Sequence, residues 1–345
     1  MFACAGCGAV LTVPVSRVAL PVHAGQLYGH DLLGPLMEPG TYAVNPEPFG
    51  PPWRTWDEVG AAEAQARGWY APAHLLPGGP RGAVVIAPGD VRGTVFIPGC
   101  SAGYCCGLDG RDGPNLACER CGREVATRID DCSYWQAVWL HPPAVHRLAG
   151  ADGPPAVTSW EALPAQRPVL PPIHPDGWWN PIWAAAVAAA LADLLAETDG
   201  TPVTVPDGPV ADVFRRSIET LLPAGTPART LAVAGPGLPD VTADLVLVPR
   251  HPQNGELWPA PGAVPLAYDV WRHLAFHRER RPVPGAGAMP DEARRDDPPP
   301  RQPPGPFRPD WGIFVATLAR RPEVRRPWLR RLHDRVRSRP YREPF

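Results

Sequence analysis

The sequence contains no lysine, since all 33 of its basic residues are arginines. Such a complete bias is most simply a signature of GC-rich coding DNA, so the abundance of arginine is weak evidence for phosphate binding. The net charge at pH 7 is only −2. A nearly neutral chain has no bulk attraction for nucleic acids or membrane surfaces.

We also expect neither a targeting segment nor a membrane-spanning segment. The N-terminus, MFACAGCG, has neither the charged start nor the long apolar run of a secretory signal. The most apolar stretch, residues 178–196, contains Asn180, Pro181 and Asp193 and falls short of a membrane span. We therefore expect a cytoplasmic protein without a transmembrane segment. In that reducing compartment, its eight cysteines are more readily metal ligands or plain thiols than disulfides.

The sequence lacks the familiar catalytic signatures as well. It contains neither H-E-x-x-H nor the H-x-E and P-C-x-x-C pair of the zinc deaminases. The stretch LAVAGPGLPD, residues 231–240, lacks the third glycine of a phosphate-binding loop, and Pro236 removes a backbone donor. We interpret it as a turn. Ser217 and His273 show no triad spacing, and we expect structural roles for both.

The strongest positive feature is a pair of C-x-x-C-G turns, one at Cys4 and Cys7 and the other at Cys118 and Cys121. Glycine after the second cysteine permits the backbone conformation that a metal-binding turn needs. Both turns are followed by β-prone residues. Four thiolates in tetrahedral geometry are a standard structural zinc site. The sequence therefore predicts zinc at these four cysteines.

The two turns resemble the knuckles of zinc-ribbon proteins, but only over the residues around each cysteine pair. The spacing differs from that family, because 110 residues separate Cys7 from Cys118, whereas a ribbon has about 15 to 20 between its pairs. The predicted zinc would then staple the N-terminus onto the second half of its domain.

The other four cysteines allow alternatives. A second zinc could be bound by Cys100, Cys105, Cys106 and Cys132. Against this, the side chains of adjacent cysteines tend to diverge. In the alternative interpretation, all four cysteines are small, buried, unreactive thiols. In a local alternative, cysteines from this group join Cys118 and Cys121 in place of the N-terminal pair.

Histidines and carboxylates near the cysteines are weaker candidates. Either His23 or His30, in the loop HAGQLYGHD, could be a ligand, although we expect a surface or hydrogen-bonded role. Asp109 and Asp112 stand beside glycines and are typical of turns. Asp130 or Asp131 is expected to cap the element that follows. Because a catalytic zinc keeps an open position, this cysteine-rich set favours a structural zinc.

The fold class predicted from the sequence is α+β. A β-rich zinc-knuckle domain (1–148) is followed by a proline-rich linker (149–180), a small α/β domain (181–281), a flexible linker (282–309) and an arginine-rich helical tail (310–345). In the first domain we expect a β-hairpin in which residues 84–86 pair with 94–97. Residues 134–140 are apolar enough to be buried as strand or helix. In the α/β domain, residues 207–222 predict a helix with one apolar face.

The C-terminal segment has the opposite charge balance to the rest of the chain, with 10 arginines and 3 acids in residues 311–345. A basic amphipathic helix beginning near Pro327 can bind phosphates or an acidic surface. It can equally dock on the protein itself by its apolar stripe. The candidate partner-binding residues are Arg325, Arg326, Arg330, Arg331, Arg335 and Arg337.

Two hypotheses for the function follow. In the first, the protein is a zinc-stabilised, non-catalytic binding or regulatory protein that contacts nucleic acid or an acidic protein partner. In the second, it is an enzyme of an unrecognised family, possibly a hydrolase, with a pocket between the zinc domain and the α/β domain. The lack of a catalytic constellation at any known spacing favours the first. The sequence does not indicate an oligomeric state.

Overall fold

The computed structural model describes residues 1–100, 103, 105–148, 156–174, 176–277 and 303–339. Helices and several sheets confirm the α+β class. The chain divides into two compact units. The first unit comprises Met1–Thr158 with Pro252–Gly255, and the second comprises Ser159–His251 with Glu256–Phe345. The segments predicted as the α/β domain and the arginine-rich tail therefore lie in the same unit.

The first unit is rich in short strands. They are β1 (Phe2–Cys4), β2 (Ser16–Arg17), β3 (Thr41–Val44), β4 (Trp53–Arg54), β5 (Leu76–Pro77), β6 (Val84–Ile86), β7 (Thr94–Phe96), β8 (Leu116–Cys118), β9 (Glu124–Ile129), β10 (Ala137–Leu140) and β11 (Val145–Arg147). Two short helices, α1 (Trp56–Val59) and α2 (Ala61–Ala66), follow β4. Thr55 and Glu58 cap α1 with a complete capping box.

Among the described residues of this unit, seven strands form one sheet in the order β2-β3-β6-β10-β9-β8-β7. Its central strands are buried on both faces. Val138 and Leu140 of β10 belong to one apolar cluster, while Ala137 and Trp139 belong to the cluster on the other face. This period of two explains why residues 137–140 form a strand, since successive side chains point to opposite faces. A separate sheet pairs β1 with β11.

The predicted hairpin between residues 84–86 and 94–97 is wrong. Strand β6 pairs with β3 and β10, which occupy both of its edges, and β7 pairs with β8 instead. The intervening residues turn away in a short 3₁₀ helix, Pro88–Asp90. The buried carboxylate of Asp90 accepts a hydrogen bond from the Gly40 N–H at 2.8 Å. These long-range contacts outweigh the local turn preference.

The second unit combines helices with a small sheet. Its elements are α3 (Leu163–Gln166), α4 (Pro181–Thr198), β12 (Val203–Thr204), α5 (Arg216–Leu221), β13 (Arg229–Val233), β14 (Leu245–Arg250), β15 (Ala263–Ala267), α6 (Tyr268–Phe276), α7 (Trp311–Ala319) and α8 (Pro327–Arg337). A π-helical turn, Ala211–Arg215, leads into α5. The apolar face predicted for residues 207–222 is buried, including Phe214, Ile218 and Leu221.

The sheet of the second unit is parallel throughout, in the order β12-β13-β14-β15. Parallel neighbours require crossover connections. The π-helical turn and α5 lie in the connection from β12 to β13, whereas residues 234–244 and 251–262 join the later strands without a helix. The alanine-rich helix α4 packs against β15 and α7. Asn180 caps its start by accepting from the Ile182 N–H at 2.9 Å. Helix α4 is long and apolar enough to cross a membrane by composition, but 78% of it is buried inside the protein.

The two segments predicted as linkers are partly outside the described residues. Residues 149–155, 175 and 278–302 are not described, and the predicted flexible linker therefore falls there except for residues 303–309. Within the described part of 149–180, α3 is present, and Arg167 pairs with Asp269 at 2.8 Å. Trp179 donates from Nε1 to the Gly305 carbonyl, and its ring contacts Phe307.

Candidate metal centres

The two C-x-x-C-G turns have the same backbone hydrogen bonds. The Gly8 N–H donates to the Cys4 carbonyl at 2.9 Å, and the Gly122 N–H donates to the Cys118 carbonyl at 2.8 Å. Both glycines have a φ of 72°, in the left-handed region that glycine adopts without steric cost. Each turn therefore presents its two thiols on the same side, which explains the repeated motif.

The fold brings the four thiols of these turns together, although the turns are more than a hundred residues apart. Their Sγ atoms all lie within 4.8 Å of one another. The Sγ atoms of Cys4 and Cys121 are 3.6 Å apart, as are those of Cys7 and Cys118. Zinc–sulfur bonds of about 2.3 Å in a tetrahedron require sulfur–sulfur edges of about 3.8 Å. The spacing thus fits a tetrahedral ion and is too long for disulfides. All eight cysteines are free.

The electrostatics of this cluster also favour a cation. Burial disfavours the Cys4 thiolate, but N–H groups of Gly6 and Cys7 hydrogen bond to its sulfur and lower the pKa of Cys4 to about 7. The Arg123 N–H favours the Cys121 thiolate, yet the neighbouring thiols raise the pKa of Cys121 to about 12. Four thiols this close cannot all ionise without a positive ion between them.

We call Cys4, Cys7, Cys118 and Cys121 the staple cluster. Cys4 ends β1, in the two-stranded sheet, and Cys118 ends β8, in the seven-stranded sheet. Both are fully buried. A metal ion held here would join the two sheets of the first unit. Because protein thiols would supply all four ligands, an ion held here would have the coordination of a structural site.

A second cluster contains three of the other cysteines and a histidine, and we call His30, Cys105, Cys106 and Cys132 the exposed cluster. Their donor atoms all lie within 4.8 Å of one another. Cys100 is not a member of it, so His30 occupies the place that the sequence suggested for that cysteine. His30 lies 75 residues before Cys105, and no spacing rule joins them. The only signal in the sequence was its position in a loop with His23.

His23 has a different role. Its ring packs on Trp135 with centroids 4.6 Å apart. Burial lowers the pKa of His23 to about 4, so the side chain is a neutral core residue. It belongs to neither cysteine cluster.

The nearby carboxylates bind backbone N–H groups or arginine side chains. Asp109 accepts from the Arg111 N–H at 3.1 Å, in the turn expected there. Asp131 is buried and accepts from the N–H groups of Cys106 and Cys132, at 2.7 and 2.8 Å. Asp131 therefore orients the backbone of two cysteines of the exposed cluster. Asp130 pairs with Arg128 at 3.0 Å.

The arginine-rich tail is docked on the second unit. Leu329, Leu332 and Val336 of α8 are buried, and the Trp311 Nε1 of α7 donates to the Val336 carbonyl at 2.9 Å. Arg326 donates from Nη1 to the Ala196 carbonyl, at the end of α4.

The six candidate arginines differ in exposure. Arg330 pairs with Asp334 on the same helix at 3.0 Å, Arg326 lies 3.4 Å from Asp199, and Arg337 is half-buried. Arg325, Arg326, Arg331 and Arg335 are exposed. Arg331 and Arg335 stand one helical turn apart, so they share a face of α8.

The glycine-rich turn after β13 is filled by a core residue. A Cβ at Gly235 would lie 2.3 Å from the Trp271 ring, and the Trp271 Nε1 donates to the Ala234 carbonyl at 2.9 Å. The indole thus occupies the space next to this turn. Ser217 and His273 are buried.

Comparison with known proteins does not identify a family. No protein-family model, curated protein or solved structure matches this chain. The two clusters and the tail are therefore the features that indicate a function.

Proposed function

We propose that this protein is a zinc-stabilised, non-catalytic binding or regulatory protein of the cytoplasm. The observation that carries the proposal is the convergence of four thiols in the staple cluster, whose Sγ atoms all lie within 4.8 Å of one another. An ion with four protein ligands has no open position for substrate, so its binding free energy contributes to folding rather than to chemistry.

Zinc is the ion that this donor set favours. Four thiolates select zinc or iron over magnesium and calcium, which prefer oxygen ligands. Iron is the competing outcome, and a metal analysis distinguishes the two.

The Arg123 side chain lies over the first turn, because a Cβ added at Gly6 would be 3.4 Å from its Cδ. Its positive charge offsets part of the excess negative charge of four thiolates around a divalent ion.

The metal content of the purified chain tests the staple. We expect Cys4→Ser and Cys118→Ser to lose the same zinc ion, because each removes one ligand of a single site. Cys100→Ser is the matched control, since Cys100 belongs to neither cluster. An unchanged metal content in Cys4→Ser would contradict the long-range staple, and iron in place of zinc would contradict the choice of ion.

For the partner we propose a polyanion, either nucleic acid or an acidic protein, which contacts the outward face of α8. Supporting this, the apolar stripe of the helix is buried against its own unit, while Arg331 and Arg335 are exposed. A docked helix holds these guanidinium groups on a fixed surface, so less conformational entropy is lost on binding.

The double variant Arg331→Gln/Arg335→Gln tests this surface. We expect weaker binding to oligonucleotides or to polyglutamate. For double-stranded DNA, the slope of log affinity against log salt should fall by about 2, because about 0.9 ions are released per phosphate contact. Arg17→Gln/Arg54→Gln is the control, because it removes the same charge from exposed sites of the first unit. Equal binding by both double variants would rule out the tail as the contact surface.

A further inference from the structure

The exposed cluster has the dimensions of a coordination site. The Cys132 Sγ lies 3.2 Å from the His30 Nδ1, and the Cys105 Sγ lies 3.9 Å from the same nitrogen. The Sγ atoms of Cys105 and Cys106 are 3.4 Å apart. A tetrahedral zinc with three sulfurs and one nitrogen requires edges of about 3.6 to 3.8 Å. The two adjacent cysteines therefore converge instead of diverging.

The loop that carries His30 is pinned beside Cys132 by the next residue, Ser133. The Tyr28 N–H donates to the Ser133 carbonyl at 3.0 Å, and the Ser133 N–H donates to the Asp31 carbonyl at 2.9 Å. The Ser133 hydroxyl donates to the Gly29 carbonyl. Ser133 has a φ of 70°, a conformation that residues other than glycine seldom adopt. These hydrogen bonds hold the residues on both sides of His30, so its imidazole lies next to the thiols.

The loop that carries the adjacent cysteines is held in the same way. The buried Asp131 carboxylate accepts from the Cys106 and Cys132 N–H groups, and thus joins two ligands from separate segments. A Cβ at Gly107 would lie 2.1 Å from the Asp130 carbonyl oxygen, so only glycine allows this approach. Outer contacts of this kind orient metal ligands and tune their affinity.

We propose that His30, Cys105, Cys106 and Cys132 form a second metal site, which binds zinc and exchanges it with solvent more readily than the staple cluster does. The difference follows from burial, since Cys4 and Cys118 are fully buried, whereas His30, Cys105 and Cys106 are exposed. The site uses the Nδ1 of a neutral imidazole and three thiolates. Each zinc ion bound therefore releases the protons of three thiols, and the complex carries one negative charge.

Zinc per chain, measured on the reduced full-length protein after zinc loading and dialysis, tests the proposal. We expect two ions in the wild type and in Cys100→Ser, and one in His30→Ala and in Cys105→Ser. Transfer of zinc to a chromogenic chelator should be biphasic in the wild type. The fast phase should be absent in His30→Ala but present in Cys4→Ser.

The outcomes separate this site from the staple cluster. One ion that is retained in His30→Ala and lost in Cys4→Ser would overturn the second site and leave the staple intact. One ion that is lost in His30→Ala and retained in Cys4→Ser would support the second site and contradict metal binding by the staple cluster. Loss of an ion in Cys100→Ser, with both retained in His30→Ala, would overturn the assignment of His30. Circular dichroism of each variant shows that a lost ion does not reflect a chain that fails to fold.

Discussion

Gly8 and Gly122 hold the two metal-binding turns in a left-handed conformation, with φ of 72° at each. A Cβ added at Gly122 would meet no atom within 4 Å. The only cost of a side chain there is the backbone conformation itself, which makes the position a clean test of why the motif requires glycine.

We expect Gly122→Ala to lower the free energy of unfolding of the metal-loaded protein by about 1–2 kcal/mol, the cost of a left-handed L-residue. Gly89→Ala is the matched control, because its Cβ also meets open space and its φ is outside the left-handed region. A control substitution of this type changes stability by about 0.5 kcal/mol or less. Urea unfolding of both variants measures the difference. Equal values would mean that the turn tolerates a side chain.

At the scale of one element, α4 carries a mostly buried acid, Asp193, among the apolar residues of its C-terminal half. Burial raises the pKa of Asp193 to about 6, although the nearby Arg321 favours the charged form. The Arg321 Nε lies 3.6 Å from the Asp193 Oδ1, and its guanidinium also contacts Glu197 and Glu323. The arginine therefore keeps other carboxylate partners when Asp193 is neutral.

The pH dependence of stability follows from this pKa. An unfolded aspartate has a pKa of about 3.9, so between about pH 4 and 6 the native state holds a proton that the unfolded state has lost. The free energy of unfolding therefore falls as the pH rises through this window. We expect Asp193→Asn to remove that fall and to raise the free energy of unfolding at pH 7.5 by about 1–3 kcal/mol.

Urea unfolding at a series of pH values checks this prediction. Asp207→Asn is the control, because that carboxylate is exposed in its pair with Arg215. We expect the control to leave the pH dependence unchanged, since surface ion pairs contribute little. A lower stability of Asp193→Asn at pH 7.5 would show that the attraction to Arg321 exceeds the cost of burial.

At the scale of the whole molecule, the C-terminal helices are part of the core of the second unit. Ile313, Phe314, Val315 and Leu318 of α7 are buried, and α7 packs on α4. The Asp310 N–H also donates to the Ala184 carbonyl, within α4, at 2.9 Å. Removing the tail would uncover the apolar surface of α4.

A chain ending at residue 302 is therefore expected to lose the cooperative unfolding of the second unit. Burial of four apolar side chains contributes about 8 kcal/mol, which is comparable to the stability of a whole domain. Calorimetry of the shortened chain measures the cooperativity of its unfolding. The full-length variant Arg331→Gln/Arg335→Gln is the control, because it keeps both helices. If the shortened chain unfolds as cooperatively as the full chain, α7 and α8 are not required for the stability of the second unit. Point substitutions, not truncation, are thus the means to test partner binding.

The sequence could predict features that depend on a few neighbouring residues. The apolar face that includes Phe214 and Ile218 and the glycine turns at the staple cluster both have local causes. Features that depend on distant segments were predicted less well. The hairpin from Val84 failed because β3 and β10 compete for the same strand edges, and His30 was not joined to its cysteines because its loop is placed by contacts with Ser133.

The sequence by itself determined the two C-x-x-C-G turns, the helical and strand periods and the surplus of arginine near the C-terminus. These follow from backbone sterics and from the spacing of apolar side chains. Only the tertiary structure decided that the turns meet, that His30 replaces Cys100 in the exposed cluster, and which arginines face outward. The reason is that metal-ligand distances and burial depend on segments tens to more than a hundred residues apart. The packing of the whole unit determines which of these segments meet, and no sequence spacing predicts it.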